Sequence, residues 1–152
     1  MKIPFLRHNG NSSTNGSAVR SALFKSKDWM FNEQFKNLSA RFEHGIDERG
    51  YKVVAVTSSI AGEGKTVSTL NLATQLAAAG RKKVLVVDVD LRKSDLARGM
   101  QVTLRPGLAE FLAGTASIKE GLRYPSDQGL HVIPGGTRTN TPWNLIAGDR
   151  FR

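Results

Sequence analysis

Residues 52–92 read KVVAVTSSIAGEGKTVSTLNLATQLAAAGRKKVLVVDVDLR, and the order of residue types in this stretch decides the fold. Lys52 to Thr57 carries Val53, Val54, Ala55 and Val56, a short β-branched run expected to form a buried strand. Small residues follow, from Ser58 to Gly64, and then Lys65 and Thr66 open a segment with Leu70, Leu72, Ala73, Leu76 and Ala77 at helical spacing, closed by Gly80. Lys83 to Val87 is a second expected strand, ending on Asp88. Strand, loop, helix and strand make a βαβ unit, whose strands run parallel. The expected fold is therefore a three-layer α/β domain around a mainly parallel sheet.

The loop between the first strand and the helix has a chemistry of its own. Holding a chain of phosphates requires several donors that converge without crowding, and a loop of small residues supplies inward backbone N–H groups beside the positive end of a helix. Gly62 and Gly64 present no Cβ to obstruct the approach. Lys65 is placed to reach the β- and γ-phosphates of a nucleoside triphosphate, and the Thr66 hydroxyl to ligate magnesium. The usual pattern is G-x-x-x-x-G-K-[ST], and here Ser59 stands in the first glycine's place. An ordinary turn before a helix is the plain alternative; the flanking strand and helix favour the phosphate loop. Ala61, Gly62, Glu63, Gly64, Lys65, Thr66 and Val67 are the candidate nucleotide-binding stretch, with ATP and magnesium as the expected ligands.

One βαβ unit later, Val84 to Val87 deliver Asp88 to the carboxyl edge of a parallel sheet, where open α/β folds bind ligands. Asp88 is expected to hold magnesium or to accept a proton from an attacking hydroxyl, and Asp90 to share either task. Alternatively, Asp88 caps the next segment and Asp90 pairs with Arg92 on the surface.

Outward from this centre the signals are plainer. Met30, Phe31, Phe35, Leu38, Phe42 and Ile46 recur mostly at spacings of three and four between Asp28 and Glu48, predicting a helix that packs on the sheet or serves a subunit contact. Residues 1–26, with Asn9 to Ser17 wholly small and polar, are expected to be a flexible basic leader, and 27–152 the folded domain. Beyond Arg92, short helices are expected at Leu108–Leu112 and Ile118–Leu122, a strand at Leu130–Ile133 and a further helix at Pro142–Ala147.

Composition bounds the alternatives. The 152 residues suit one domain, 39% are hydrophobic, and there is no cysteine, which excludes a disulfide framework and a thiolate zinc site. The net charge of +9 raises the question of nucleic acid. However, Lys2, Arg7, Arg20, Lys25 and Lys27 all precede the first acidic residue, the other basic residues are interleaved with Asp and Glu, and no aromatic and basic interleaving suggests base stacking. No nucleic-acid partner is expected. No apolar run approaches the roughly 20 residues of a membrane span, so the expected location is the cytoplasm or the inner face of the plasma membrane.

The stretch VTSSIAGEGKTVSTLNLATQLAAAGRKKVLVVDVDLRKSDL, continued by GLAEFLAGTASIKEGL, GLHVIPGG and TPWNLI, resembles the catalytic core of the bacterial tyrosine kinases of capsule and exopolysaccharide synthesis. Those kinases belong to the deviant-Walker group of P-loop ATPases, with MinD and ParA. MinD and ParA proteins carry a signature lysine where this chain has Ile60, and the kinase branch lacks it as well. The resemblance implies that Lys65 and Thr66 bind phosphate and magnesium, that Asp88 and Asp90 are the Walker A′ carboxylates, and that Arg92, also a candidate nucleotide contact, completes D-x-D-x-R. It implies transfer of the ATP γ-phosphate to tyrosine, with Lys65, Asp88 and Asp90 catalytic, a membrane polysaccharide co-polymerase or chain-length regulator as partner, and homo-oligomers. Three departures stand out. The family's Walker B aspartate, expected after the region matching TPWNLI, is not reached before Arg152, so the resemblance implies a P-loop fold incomplete at its C-terminal side, with residues 27–152 as the N-terminal part of the ATP-binding domain; the only tyrosines are Tyr51 and Tyr124; and the E-x-x-R-x-x-R of subunit contacts reads Glu33, Lys36 and Ser39. A non-catalytic nucleotide-binding regulator and a positioning ATPase of the MinD or ParA kind are the alternatives.

Overall fold

A computed structural model describes residues 29–125 and 129–151, so the expected leader, together with Asp28 at the start of the expected first helix, lies outside the described residues. Helix α1 spans Trp29–Glu48 and helix α2 Lys65–Ala78; strand β1 is Val84–Val87. Then come α3 (Leu96–Met100), α4 (Leu108–Ala113), α5 (Ile118–Gly121), strand β2 (Leu130–Ile133), α6 (Pro142–Ile146) and a 3-10 turn at Asp149–Phe151.

The two strands pair in parallel, Val84 opposite Leu130 and Val87 opposite Ile133. Strand side chains alternate between faces, so Val84, Val86, Leu130 and Val132 share one face. That face meets α2, where Leu70, Ala73 and Ala77 join Val86, Leu96, Leu130 and Val132 in one core cluster. On the opposite face Ile133 packs with Leu91, Leu108, Ala109 and Leu112, bringing α4 over the sheet. The result is helix, sheet, helix, the three layers that the alternation of elements implies.

Two expectations are corrected. The segment 52–57 does not form a strand: the sheet has two strands, every residue from Tyr51 to Thr57 is exposed, and Val53 reaches 88%. A strand needs a neighbour to take its backbone N–H and C=O groups, and among the described residues none pairs with 52–57; Tyr51 N–H instead closes α1 on Ile46 O at 2.9 Å. The first half of the βαβ unit is thus present as loop and helix only. Helix α1, in turn, packs on α2 rather than on the sheet. Its buried residues are Ser39 and Glu43, while Met30 and Leu38 of the expected apolar stripe are about half exposed. Burial of these polar groups is tolerated because each is partnered: Ser39 Oγ donates to Lys36 O at 2.8 Å, and Arg81 reaches Glu43 at 3.4 Å.

Candidate functional site

The phosphate loop is built by its glycines and by α2. Gly62 and Gly64 have φ of 90° and 95°, left-handed values that any other residue adopts only with strain. Gly64 caps α2 with no side-chain bond, so the first N–H groups of this 14-residue helix keep no intrahelical acceptor and the dipole end is uncovered. A Cβ placed on Gly62 would meet nothing within 4 Å; the space above the loop is open. Lys65 Nζ donates to Ser58 Oγ at 2.9 Å, and Ser58 Oγ donates to Ile60 O at 3.0 Å, folding the half-buried lysine back over the loop it follows. Glu63 Oε2 accepts from Ile60 N–H at 3.2 Å. Thr66 and Val67 are half-buried at the start of α2. A positive helix end, a lysine held only by a hydroxyl and open space above two glycines fit a polyphosphate.

The carboxylates follow β1. Asp88 N–H donates to Ile133 O at 3.0 Å, continuing the sheet's hydrogen bonding by one residue and burying the Asp88 side chain. Its Oδ1 accepts Asp90 N–H at 3.1 Å and its Oδ2 accepts the Ser94 hydroxyl at 2.5 Å. Burial pushes the Asp88 carboxyl above the usual value, and the hydrogen bonds from Ser94 and from the Asp90 and Leu96 backbone only partly offset that. Asp90 is exposed; its Oδ1 takes the N–H groups of Arg92 at 3.2 Å and Lys93 at 2.9 Å, turning the chain. Asp90 therefore meets the backbone of Arg92, and the Arg92 side chain is exposed.

The structure thus brings Lys65 to Ser58 and Asp88 to Asp90 and Ser94, as two clusters with no hydrogen bond or ion pair between them among the described residues. They share a scaffold: α2, which begins at Lys65, packs on β1, which ends beside Asp88. Two residues that sequence reasoning passed over organise the second cluster. Ser94 links Asp88 to Gly135, whose N–H donates to Ser94 Oγ at 3.1 Å. Glu110 accepts Gly107 N–H at 2.8 Å and Thr137 N–H at 3.0 Å, together with the Thr137 hydroxyl, fastening α4 to the loop after β2. Burial raises the Glu110 carboxyl, but these donors outweigh it and leave it below the usual value. Glu110 three residues after the N-terminal Gly107 was the available signal for the carboxylate half of a capping box, the glutamate reaching back to the N-cap N–H; nothing comparable marks Ser94. Among the described residues no three His, Asp or Glu side chains converge as a metal cluster, and no helix is long and apolar enough to cross a membrane.

A glycine loop on an open helix end, with a carboxylate at the end of the adjacent parallel strand, defines a P-loop type of nucleotide-binding protein. Residues 54–133 match the CobQ/CobB/MinD/ParA nucleotide binding domain, and the chain belongs to that family. Its relatives include the tyrosine-protein kinase CpsD of Streptococcus pneumoniae, 38% identical over 101 residues, which are 66% of this chain and 44% of the relative. The succinoglycan biosynthesis transport protein ExoP of Rhizobium meliloti is 33% identical over 106 residues, 70% of this chain and 13% of that protein. Among solved structures, the BceF tyrosine kinase domain superposes with a TM-score of 0.76 at 29% identity, covering 90% of this chain and 55% of that one. The chain therefore spans less than half the length of either curated relative.

Proposed function

We propose that this chain carries the ATP-binding part of a bacterial protein tyrosine kinase, residues 27–152, that serves exopolysaccharide or capsule synthesis. The observation that carries the reading is the open phosphate loop with Lys65 folded over it at Ser58, joined through α2 to the strand that ends on Asp88. ATP bound there supplies the γ-phosphoryl group, and magnesium offsets its charge. Ala61 to Val67 offer backbone donors, and Lys65 exchanges its Ser58 contact for phosphate oxygens. Thr66, Asp88 and Asp90 would provide oxygens for the metal, or Asp88 would take the proton of an attacking tyrosine hydroxyl; Arg92, two residues after Asp90 and exposed, would be a further contact of the nucleotide. The name of ExoP, a succinoglycan biosynthesis transport protein, supports a polysaccharide setting; a membrane co-polymerase or chain-length regulator as partner, self-association and a place at the inner face of the plasma membrane belong to the same proposal.

Incubation with labelled ATP and magnesium tests this reading, comparing wild type with Lys65→Met and Asp88→Asn. Label on tyrosine in the wild type alone is the expected result; a wild type that neither binds nor transfers removes it. A second reading, nucleotide binding without transfer, is favoured by one observation: both Asp88 oxygens are already engaged by protein donors. Retained ATP binding with no phosphotyrosine would select it, whereas hydrolysis stimulated by DNA or lipid would point instead to a positioning ATPase.

A further inference from the structure

We propose that Ser94 is a positioning residue for Asp88, holding the carboxylate in the orientation in which it receives a magnesium–nucleotide; the inference rests on the nucleotide reading above. Ser94 is buried and has one hydroxyl proton to give. Gly135 N–H already donates to its oxygen at 3.1 Å, so the proton goes to Asp88 Oδ2 at 2.5 Å. A one-way chain results, from the backbone after β2, through Ser94, to the carboxylate after β1. Both ends of the chain are fixed. Asp88 is held by its own N–H on Ile133 O, and the Gly135 loop by Leu108 N–H on Pro134 O at 2.8 Å, Ala109 N–H on Gly135 O at 3.0 Å and the Glu110 clamp on Thr137. The fit is tight: a Cβ on Gly135 would stand 2.8 Å from Ser94 Oγ. Because Asp90 N–H holds the other oxygen, the carboxylate plane is set from both sides. A metal bound through water or through the free lone pairs then meets an acceptor that needs no reorientation, the condition under which outer-sphere hydrogen bonds strengthen a metal site.

The test is binding of a fluorescent ATP analogue to the full chain, in magnesium and in EDTA, with melting temperature as a check on folding. The wild type is expected to gain affinity from magnesium. Ser94→Ala keeps the EDTA affinity, which belongs to the Lys65 loop, and loses about tenfold of the magnesium gain. Ser94→Cys keeps the size with a weak donor and loses part of it, and it decides the matter if the alanine variant does not fold. Ser94→Ala placed in Asp88→Asn costs nothing further, since the two act as one unit. A full magnesium gain in Ser94→Cys, an equal loss in magnesium and EDTA by a folded variant, or simple addition in the double variant overturns the proposal. A wild type that binds but gains nothing from magnesium overturns it while leaving the loop assignment intact. A wild type that binds in neither solution removes the nucleotide reading, and this inference with it.

Discussion

Glu110 sits where a single charge decides how firmly the loop after β2 is held. Its carboxylate gathers Gly107 N–H, Thr137 N–H and the Thr137 hydroxyl, so its folded pKa lies below its unfolded one. A depressed carboxylate contributes stability that is fully present above the unfolded value and is lost as pH falls through the folded value. Glu110→Gln is accordingly expected to cost about 1 kcal/mol near pH 7, allowing for its partial exposure. The gap from wild type should close on acidification through the carboxylate range, as read by urea denaturation at several pH values. A gap independent of pH would assign the loss to shape rather than charge. At this scale the motif residues were legible and their supports were not. Gly62, Gly64, Lys65 and Thr66 declare themselves by spacing along five consecutive positions, whereas Glu110 meets Thr137 across 27 residues and Ser94 meets Gly135 across 41. No local pattern encodes a partner that distant.

Helix α2 is the element on which the proposed site depends, because it begins with Lys65, the lysine proposed to bind phosphate, and buries Ala77 near its other end. Leu70 is 0% exposed among Ala73, Ala77, Val86 and Val132, and Leu70→Ala is expected to cost about 3 kcal/mol through lost burial and the cavity left behind. The contact between α1 and α2 at Glu43 and Arg81 is a different matter. The arginine side chain is 75% exposed, so Glu43→Gln should cost under about 1 kcal/mol. Denaturant midpoints of the two variants would check the ranking, and near-equal losses would contradict it. Periodicity read α2 well, since Leu70, Ala73, Leu76 and Ala77 of its expected apolar positions are buried and Leu72 is half-buried. In α1 the stripe marked the helix itself, and of the two roles open to it packing on the sheet gives way to packing on α2; Phe31, Phe35, Phe42 and Ile46 are half-buried, and Met30 and Leu38 are exposed. A short stretch of aromatics at helical spacing fixes the presence of a helix, but which face is covered depends on what else the fold places nearby. Phe31 and Phe35 instead pack on each other, with ring centroids 4.9 Å apart. Helix α3 went unread because five residues that include Gly99 carry too little pattern.

Across the whole molecule, the parallel sheet and its two helix layers were legible from the order of elements, and the strand count was not. Valine-rich 52–57 has the composition of a strand, yet strands are made by neighbours, and β1 finds its partner 46 positions along, at β2. Amides of residues 52–57 should exchange with deuterium rapidly, while those of Val86 and Val132 are protected; slow exchange at 52–57 would contradict the unpaired arrangement. Val53, Val54, Val56, Leu85 and Val89 are also all exposed, a surface prone to association. Val53→Lys with Leu85→Lys is therefore expected to raise the solubility limit without lowering the denaturation midpoint, and an unchanged limit would argue against that role for the surface. The same arrangement makes the phosphate loop a cantilever, anchored through α2 and unsupported along the segment that leads into it. Any strand that paired with 52–57 would fix the loop's free end and spare a bound nucleotide some of the roughly 1–2 kcal/mol per residue of ordering entropy. By linkage the gain is mutual: such a strand tightens nucleotide binding, and the nucleotide tightens binding of the strand by the same factor.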